Sequence, residues 1–350
     1  MLGVDVRLNT AIALPPTPAL LSMITLQMAI QKRLASSITA TALLFAAAIS
    51  LPAQTQQTQP PPLTPHLCDP LTPAELLVKP TRTLSLWPPG TPNTPTIGDD
   101  IPHLDLFIAT PNPMHTVVVV FPGGGYRCMG QLNEGIPVAL WLVAHGISAA
   151  VLTYRVAPEY HYPAPLEDGR RAVQWARANA SEMNAQPDHV GLWGFSAGGH
   201  LAAYTAATAA NPAPADWLVS KDLGSVSSRP DFLILAYPVI TMIGPFAHTG
   251  SRKNLLGVIA DKQLAEQMSA QSWVTPETPP TFIFATSDDD VVPVQNSLLF
   301  YQALVQAGVP AEIHLFEHGH HGLGLAENTP AVKEWPSLLA NWMTLNHWMD

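Results

Sequence analysis

The chain has 350 residues, 47% of them hydrophobic and 12% charged, with a formal net charge of −10. An average globular sequence is about 25% charged, so this one has ample apolar material for one large core. Its 16 Lys and Arg are scattered, which argues against a nucleic-acid partner, because phosphate binding needs them clustered.

Residues 1–53 read as a targeting segment. Lys32-Arg33 precedes an uncharged run from Leu34 to Ile49, and Ser50-Leu51-Pro52-Ala53 closes it with small residues. A positive start, an apolar centre and a small-residue end make a secretory signal, with Ala53 the expected residue before cleavage. Met28 opens that signal, so residues 1–27 read as an upstream extension. The apolar centre is short for a span of about 20 residues. No stable membrane span is therefore expected after processing, and the expected location is secreted or periplasmic. Residues 54–80 are rich in Pro, Thr and Gln and read as an extended linker. The two cysteines, Cys68 and Cys128, are free to pair in an exported protein, but the sequence leaves their pairing open.

From residue 81 onward strand-like and helix-like patterns alternate. Thr83–Trp87 and Leu104–Ala109 are short strands, and Thr116–Phe121 is an apolar β-branched run suited to a strand buried on both faces. Helical spacing from Val138 to Ala144 stops at Gly146, and Ile147–Thr153 is the next strand. Leu166–Met183 is an amphipathic helix. Val190–Phe195 leads into an Ala-rich helix, followed by strands at Phe232–Tyr237, Thr281–Thr286 and Ala311–Phe316. Val294–Gly308 and Glu334–Met349 are the last two helices. The alternation predicts an α/β fold with a doubly wound, mostly parallel sheet. Thr241–Thr275 interrupts it and reads as a short lid insertion.

Gly194-Phe195-Ser196-Ala197-Gly198 stands between a strand and a helix. Glycines two residues either side of the serine let the backbone bend sharply and push its hydroxyl off the end of the sheet, the context of a nucleophile elbow. The helix N-terminus behind it suits an oxyanion. Pro122-Gly123-Gly124-Gly125-Tyr126 follows the core strand Thr116–Phe121, so Gly124 or Gly125, together with Ala197, is the expected oxyanion-hole donor. Asp288-Asp289-Asp290 follows the strand Thr281–Thr286, and position alone does not choose between the three. His318, His320 and His321 follow the last strand and offer a base. Neighbouring His320 and His321 point differently in most backbones and no second ligand pair stands at helical spacing, so neither a metal nor another cofactor is expected. The order Ser, Asp, His is that of the α/β-hydrolases.

These parts resemble the α/β-hydrolase family of acetyl-xylan and feruloyl esterases from about Leu84 to the C-terminus. The matching runs are Phe121–Tyr126, Tyr154-Arg155-Val156-Ala157-Pro158, Pro163–Asp168, Gly194–Ala202, His248-Thr249-Gly250-Ser251-Arg252, Asp289–Pro293 and His321-Gly322-Leu323-Gly324. The resemblance implies Asp289 as the acid, four residues before the proline of the Val-Pro pair, and His321 as the base before Gly-Leu-Gly. Hormone-sensitive-lipase-like relatives carry His and Asp where Pro122 and Phe195 stand here, which favours the carbohydrate-esterase branch. No carboxylate pair is placed for glycoside cleavage.

The implied activity is an exported serine esterase that hydrolyses acetyl or other small acyl esters on small-molecule or polysaccharide substrates of the xylan type. Ser196, His321 and Asp289 form its triad and an acyl-enzyme its intermediate. Tyr126, Glu134 and His248 are candidate substrate-binding residues, although each also has a role open to it in core or loop packing. A secreted peptidase of the prolyl-oligopeptidase type shares the sheet and the triad order, but it usually brings a propeller for which the leader is too short. A non-catalytic hydrolase-fold binding protein would require a damaged triad, and no part is missing.

Overall fold

The apolar run around Val117 becomes the centre of a twisted sheet. A computed structural model describes residues 67–68, 78–95, 101–214, 217–218, 221–259 and 261–350. The chain divides into two units, Met1–Thr58 and Gln59–Asp350, and every described residue belongs to the second. The expected signal, its Ala53 boundary and most of the linker lie outside the described residues.

Among the described residues the sheet has strands β1 (Arg82–Ser85), β2 (His103–Phe107), β3 (Val117–Phe121), β4 (Ser148–Thr153), β5 (Val190–Phe195), β6 (Phe232–Ala236), β7 (Thr281–Thr286) and β8 (Ala311–Phe316). They lie side by side in the order β1-β2-β4-β3-β5-β6-β7-β8. β2 runs antiparallel to β1 and β4, and all other pairs are parallel, with Val118 opposite Gly191 and Trp193 opposite Ile234. This is the mostly parallel α/β sheet that the alternation of patterns predicts, in the α/β-hydrolase form that the resemblance implies. The central strands are buried throughout, while β1 and β8 at the edges are partly exposed. Continuous apolar runs belong where both faces of a parallel sheet are covered.

The covering helices are α1 (Ile136–Ala144), α2 (Ala164–Ala178), α3 (Ser196–Ala207), α4 (Thr249–Leu256), α5 (Lys262–Gln267), α6 (Gln295–Gln306) and α7 (Trp335–Leu345). Successive strand residues point to opposite faces, and the core divides accordingly. Val117, Val119 and Leu192 pack with Ala172 and Val173 of α2, Leu201 of α3 and Phe300 of α6. Val118, Val120 and Trp193 pack with Val138 and Leu142 of α1 and Trp335 and Leu339 of α7.

Several boundaries differ from the periodicity by one to a few residues, most at the helices after β4 and β8. α2 begins at Ala164, two residues early, because Pro165 is tolerated in a first helical turn. It ends at Ala178: Asn179 leaves the helical conformation and its side-chain amide donates to the Trp175 carbonyl at 2.9 Å. Ala180–Met183 is then a separate tight turn. The C-terminal helix likewise stops at Leu345, with Asn346 closing it on Trp342.

Candidate active site

Ser196 opens α3 directly after β5 with φ +50°, a left-handed conformation in which a non-glycine residue is strained. The bend leaves no room for side chains beside it. A Cβ on Gly198 would strike the carbonyls of Phe121 and Pro122, and one on Gly194 would strike that of Gly198. The elbow is therefore pressed against the end of β3, which puts Gly123 beside the Ser196 side chain, where an added Cβ would lie 2.9 Å from the serine Cβ.

The Ser196 hydroxyl is 2.7 Å from Nε2 of His321, and Nδ1 of the same ring is 2.7 Å from Oδ2 of Asp289. The Asp289 side chain is almost fully buried. Its other oxygen accepts the N–H groups of Val291 at 2.9 Å and Val292 at 2.8 Å. A carboxylate held from both sides fixes the imidazole with its proton on Nδ1, leaving Nε2 free to accept one from serine.

Asp288, His318 and His320 have other partners, and Asp290 is exposed. Asp288 is exposed and accepts from the Gly319 N–H at 2.7 Å and pairs with His318 at 3.1 Å; these contacts hold its carboxyl below the usual range. His320 turns back to the carbonyl of His321. Among the described residues no group of His, Cys, Asp or Glu side chains converges as a metal site.

The glycine loop after β3 divides its amides. Gly123 donates to Glu134 Oε2 at 2.7 Å, whereas no acceptor among the described residues takes the N–H of Gly124 or Gly125. Ala197 lies in the first turn of α3, where no helical carbonyl is available to its N–H. These three amides are the donors left for an oxyanion.

Of the three candidate substrate-binding residues, the structure turns two inward. Tyr126 is fully buried with its hydroxyl 2.7 Å from Nδ1 of His200, and Glu134 is buried with both carboxylate oxygens taken. A polar group in an apolar interior needs such internal partners, and here they leave nothing for a ligand. His248 remains half-buried, capping α4 through Ser251. Burial, then the charge of His321, pushes its pKa down, while Asp289 pulls the other way; it lies close enough to the triad to feel both.

Several residues had no motif to mark them. Tyr237 follows β6 directly and lays its ring edge-to-face against His321, centroids 5.0 Å apart. A polar-tipped aromatic at the carboxyl end of a sheet strand is the signal that marks it. Asn254 of α4 donates to the Gly125 carbonyl at 2.8 Å, tying the insertion to the glycine loop. Cys68 and Cys128 are joined as a disulfide.

The BD-FAE family model matches residues 104–304. An acetylxylan esterase of Xylanibacter ruminicola is 33% identical over 236 residues, 66% of this chain and 46% of that protein. Endo-1,4-beta-xylanase B of Butyrivibrio fibrisolvens is 36% identical over 236 residues, 65% of this chain and 35% of that protein. The chain thus spans between a third and a half of the length of these curated relatives. Among solved structures, the acetyl ester-xyloside bifunctional hydrolase from Caldicellulosiruptor lactoaceticus matches with a TM-score of 0.71 at 42% identity, covering 78% of this chain and 99% of that one. The carboxylesterase Cest-2923 from Lactobacillus plantarum matches with a TM-score of 0.57 at 26% identity, covering 71% and 94%.

Proposed function

The chain belongs to the BD-FAE family, and on that premise we propose that it is an exported serine esterase removing acetyl or other small acyl groups from carbohydrate hydroxyls of the xylan type. The observation that carries this reading is the unbroken hydrogen-bonded line from Ser196 through His321 to Asp289. The names of the similar acetylxylan esterase and acetyl ester-xyloside hydrolase support the substrate class. The leader around Lys32-Arg33 supports export, as does the Cys68–Cys128 disulfide, a bond that persists in oxidising compartments.

In this mechanism Ser196 Oγ attacks the ester carbonyl carbon while its proton passes to His321 Nε2. The resulting oxyanion lies against the N–H groups of Ala197 and of Gly124 or Gly125, a contact worth about 3–4 kcal/mol per donor in comparable sites. The intermediate collapses and the sugar oxygen leaves with the proton from His321. Water then attacks the acyl carbon, giving a proton to His321, and Ser196 departs with it as the acid is released.

The test is hydrolysis of p-nitrophenyl acetate and of acetylated xylan by the wild-type protein and by Ser196→Ala, with fluorophosphonate labelling alongside. Turnover and labelling are expected in the wild type and absent from the variant. Retained turnover in folded Ser196→Ala, or a wild type that neither labels nor hydrolyses, overturns the reading.

A further inference from the structure

Glu134 lies on a wide helical turn, Gln131–Gly135, which leads into α1. Its Oε2 accepts the N–H of Gly123, the amide immediately before the two candidate donor glycines, at 2.7 Å. Its Oε1 accepts the hydroxyl of Tyr237 at 2.9 Å. That phenol oxygen in turn accepts the N–H of Gly324 at 2.7 Å, three residues beyond His321, and its ring packs on the imidazole. The preceding residue, Asn133, donates its side-chain amide to the Gly322 carbonyl and fills the space that a Cβ on Gly324 would need. Two adjacent residues thus hold the loop that carries His321 while one of them also holds the glycine loop.

We propose that Glu134 is a positioning residue that fixes the oxyanion amides and the His321 loop in one register, acting through Gly123 on one side and Tyr237 on the other. The inference rests on the esterase reading and extends it to residues that touch no substrate. A carboxylate is the group this place requires, because both of its neighbours are donors. Glutamine would present one acceptor and one donor. It could accept from Gly123 only by donating to Tyr237, whose oxygen already accepts from Gly324, so the phenol proton would lose its acceptor. Burying a carboxylate is costly, and burial does push the Glu134 pKa up, against the pull of Tyr237, Gly123 and His321. A buried acid kept between the two working loops is better explained by registration than by packing.

The test uses the full chain with Glu134→Gln, Tyr237→Phe and the double variant, each assayed on p-nitrophenyl acetate with active sites counted by fluorophosphonate titration. For each single variant kcat per titrated site should fall about 10- to 100-fold, the penalty of a small misplacement of reacting groups, with KM within about twofold. The double variant should be no worse than the weaker single one, because the two residues act as one unit. If Glu134→Gln does not fold, Tyr237→Phe decides. A wild type that is active while kcat per titrated site in the variants is unchanged overturns this inference alone, since a purely structural role would lower only the number of active sites. A wild type with neither turnover nor labelling overturns the esterase reading, and this inference with it.

Discussion

The carbonyl of Cys128 occupies the volume that a Cβ on Gly124 would need. Gly124 also has φ +125°, where L side chains are rarely found. Gly125 next to it has φ +66°, but an added Cβ there would meet nothing. Gly124→Ala must therefore push the loop away from Cys128 and shift the amides beside Ser196, whereas Gly125→Ala adds only local backbone strain of about 1–2 kcal/mol. Gly124→Ala is expected to lower kcat for p-nitrophenyl acetate by about 100-fold or more, the scale of one lost oxyanion donor, and Gly125→Ala much less. Steady-state kinetics on both variants checks this, and equal losses would remove Gly124 as the tighter position.

Behind the same loop stands the disulfide. Cys68 donates its N–H to the Met129 carbonyl at 3.0 Å, and Leu67 bridges to Met129, so these two residues lie beside Cys128 and Met129, with the Cys68 sulfur next to Gly124. The bond closes a separation of 60 residues, for which chain entropy alone gives about 4 kcal/mol. Thermal unfolding with and without reductant should show a clear loss of stability on reduction, reproduced by Cys128→Ser. Turnover should fall as well, because the loop loses that support. Identical melting and kcat in the oxidised and reduced protein would show that the bond supports neither.

What the sequence disclosed and what it withheld differ in range. Ser196 and the glycine loop were legible because strand, turn and helix chemistry lie within a few residues of one another, and the apolar runs located the strands for the same reason. The choice among Asp288, Asp289 and Asp290 rested on resemblance, because it depends on which carboxylate turns under the amides of Val291 and Val292, a matter of loop conformation. Tyr126 and Glu134 stand by the right loop, but the sequence left both a pocket and a packing role open to each, and in the structure their polar groups meet internal partners. Their partners, His200 and Tyr237, are 74 and 103 residues away, and no local pattern reports such contacts. The pairing of Cys68 with Cys128 was withheld for the same reason.

His200, in the second turn of α3, makes the remaining prediction. It is fully buried, with Nδ1 2.7 Å from the Tyr126 hydroxyl and Nε2 2.7 Å from the Met268 carbonyl. A neutral ring that donates from Nε2 and accepts at Nδ1 satisfies both, and it joins the glycine loop to the end of α5. Burial pushes its pKa down to about 4, against the pull of the Met268 carbonyl. In the unfolded chain it titrates near 6.5. Above that pH neither state binds the proton and the full stability is present. Between about 6.5 and 4 the unfolded chain takes up a proton that the native state refuses, so stability falls as the pH drops, by on the order of 3 kcal/mol across the window. His200→Gln keeps a donor for Met268 but cannot titrate. It should be less stable than the wild type at pH 7.5, and the gap should narrow steadily on acidification to pH 4.5. Urea unfolding of both proteins across that range measures the gap directly, and parallel curves would mean that His200 does not set the acid sensitivity of the fold.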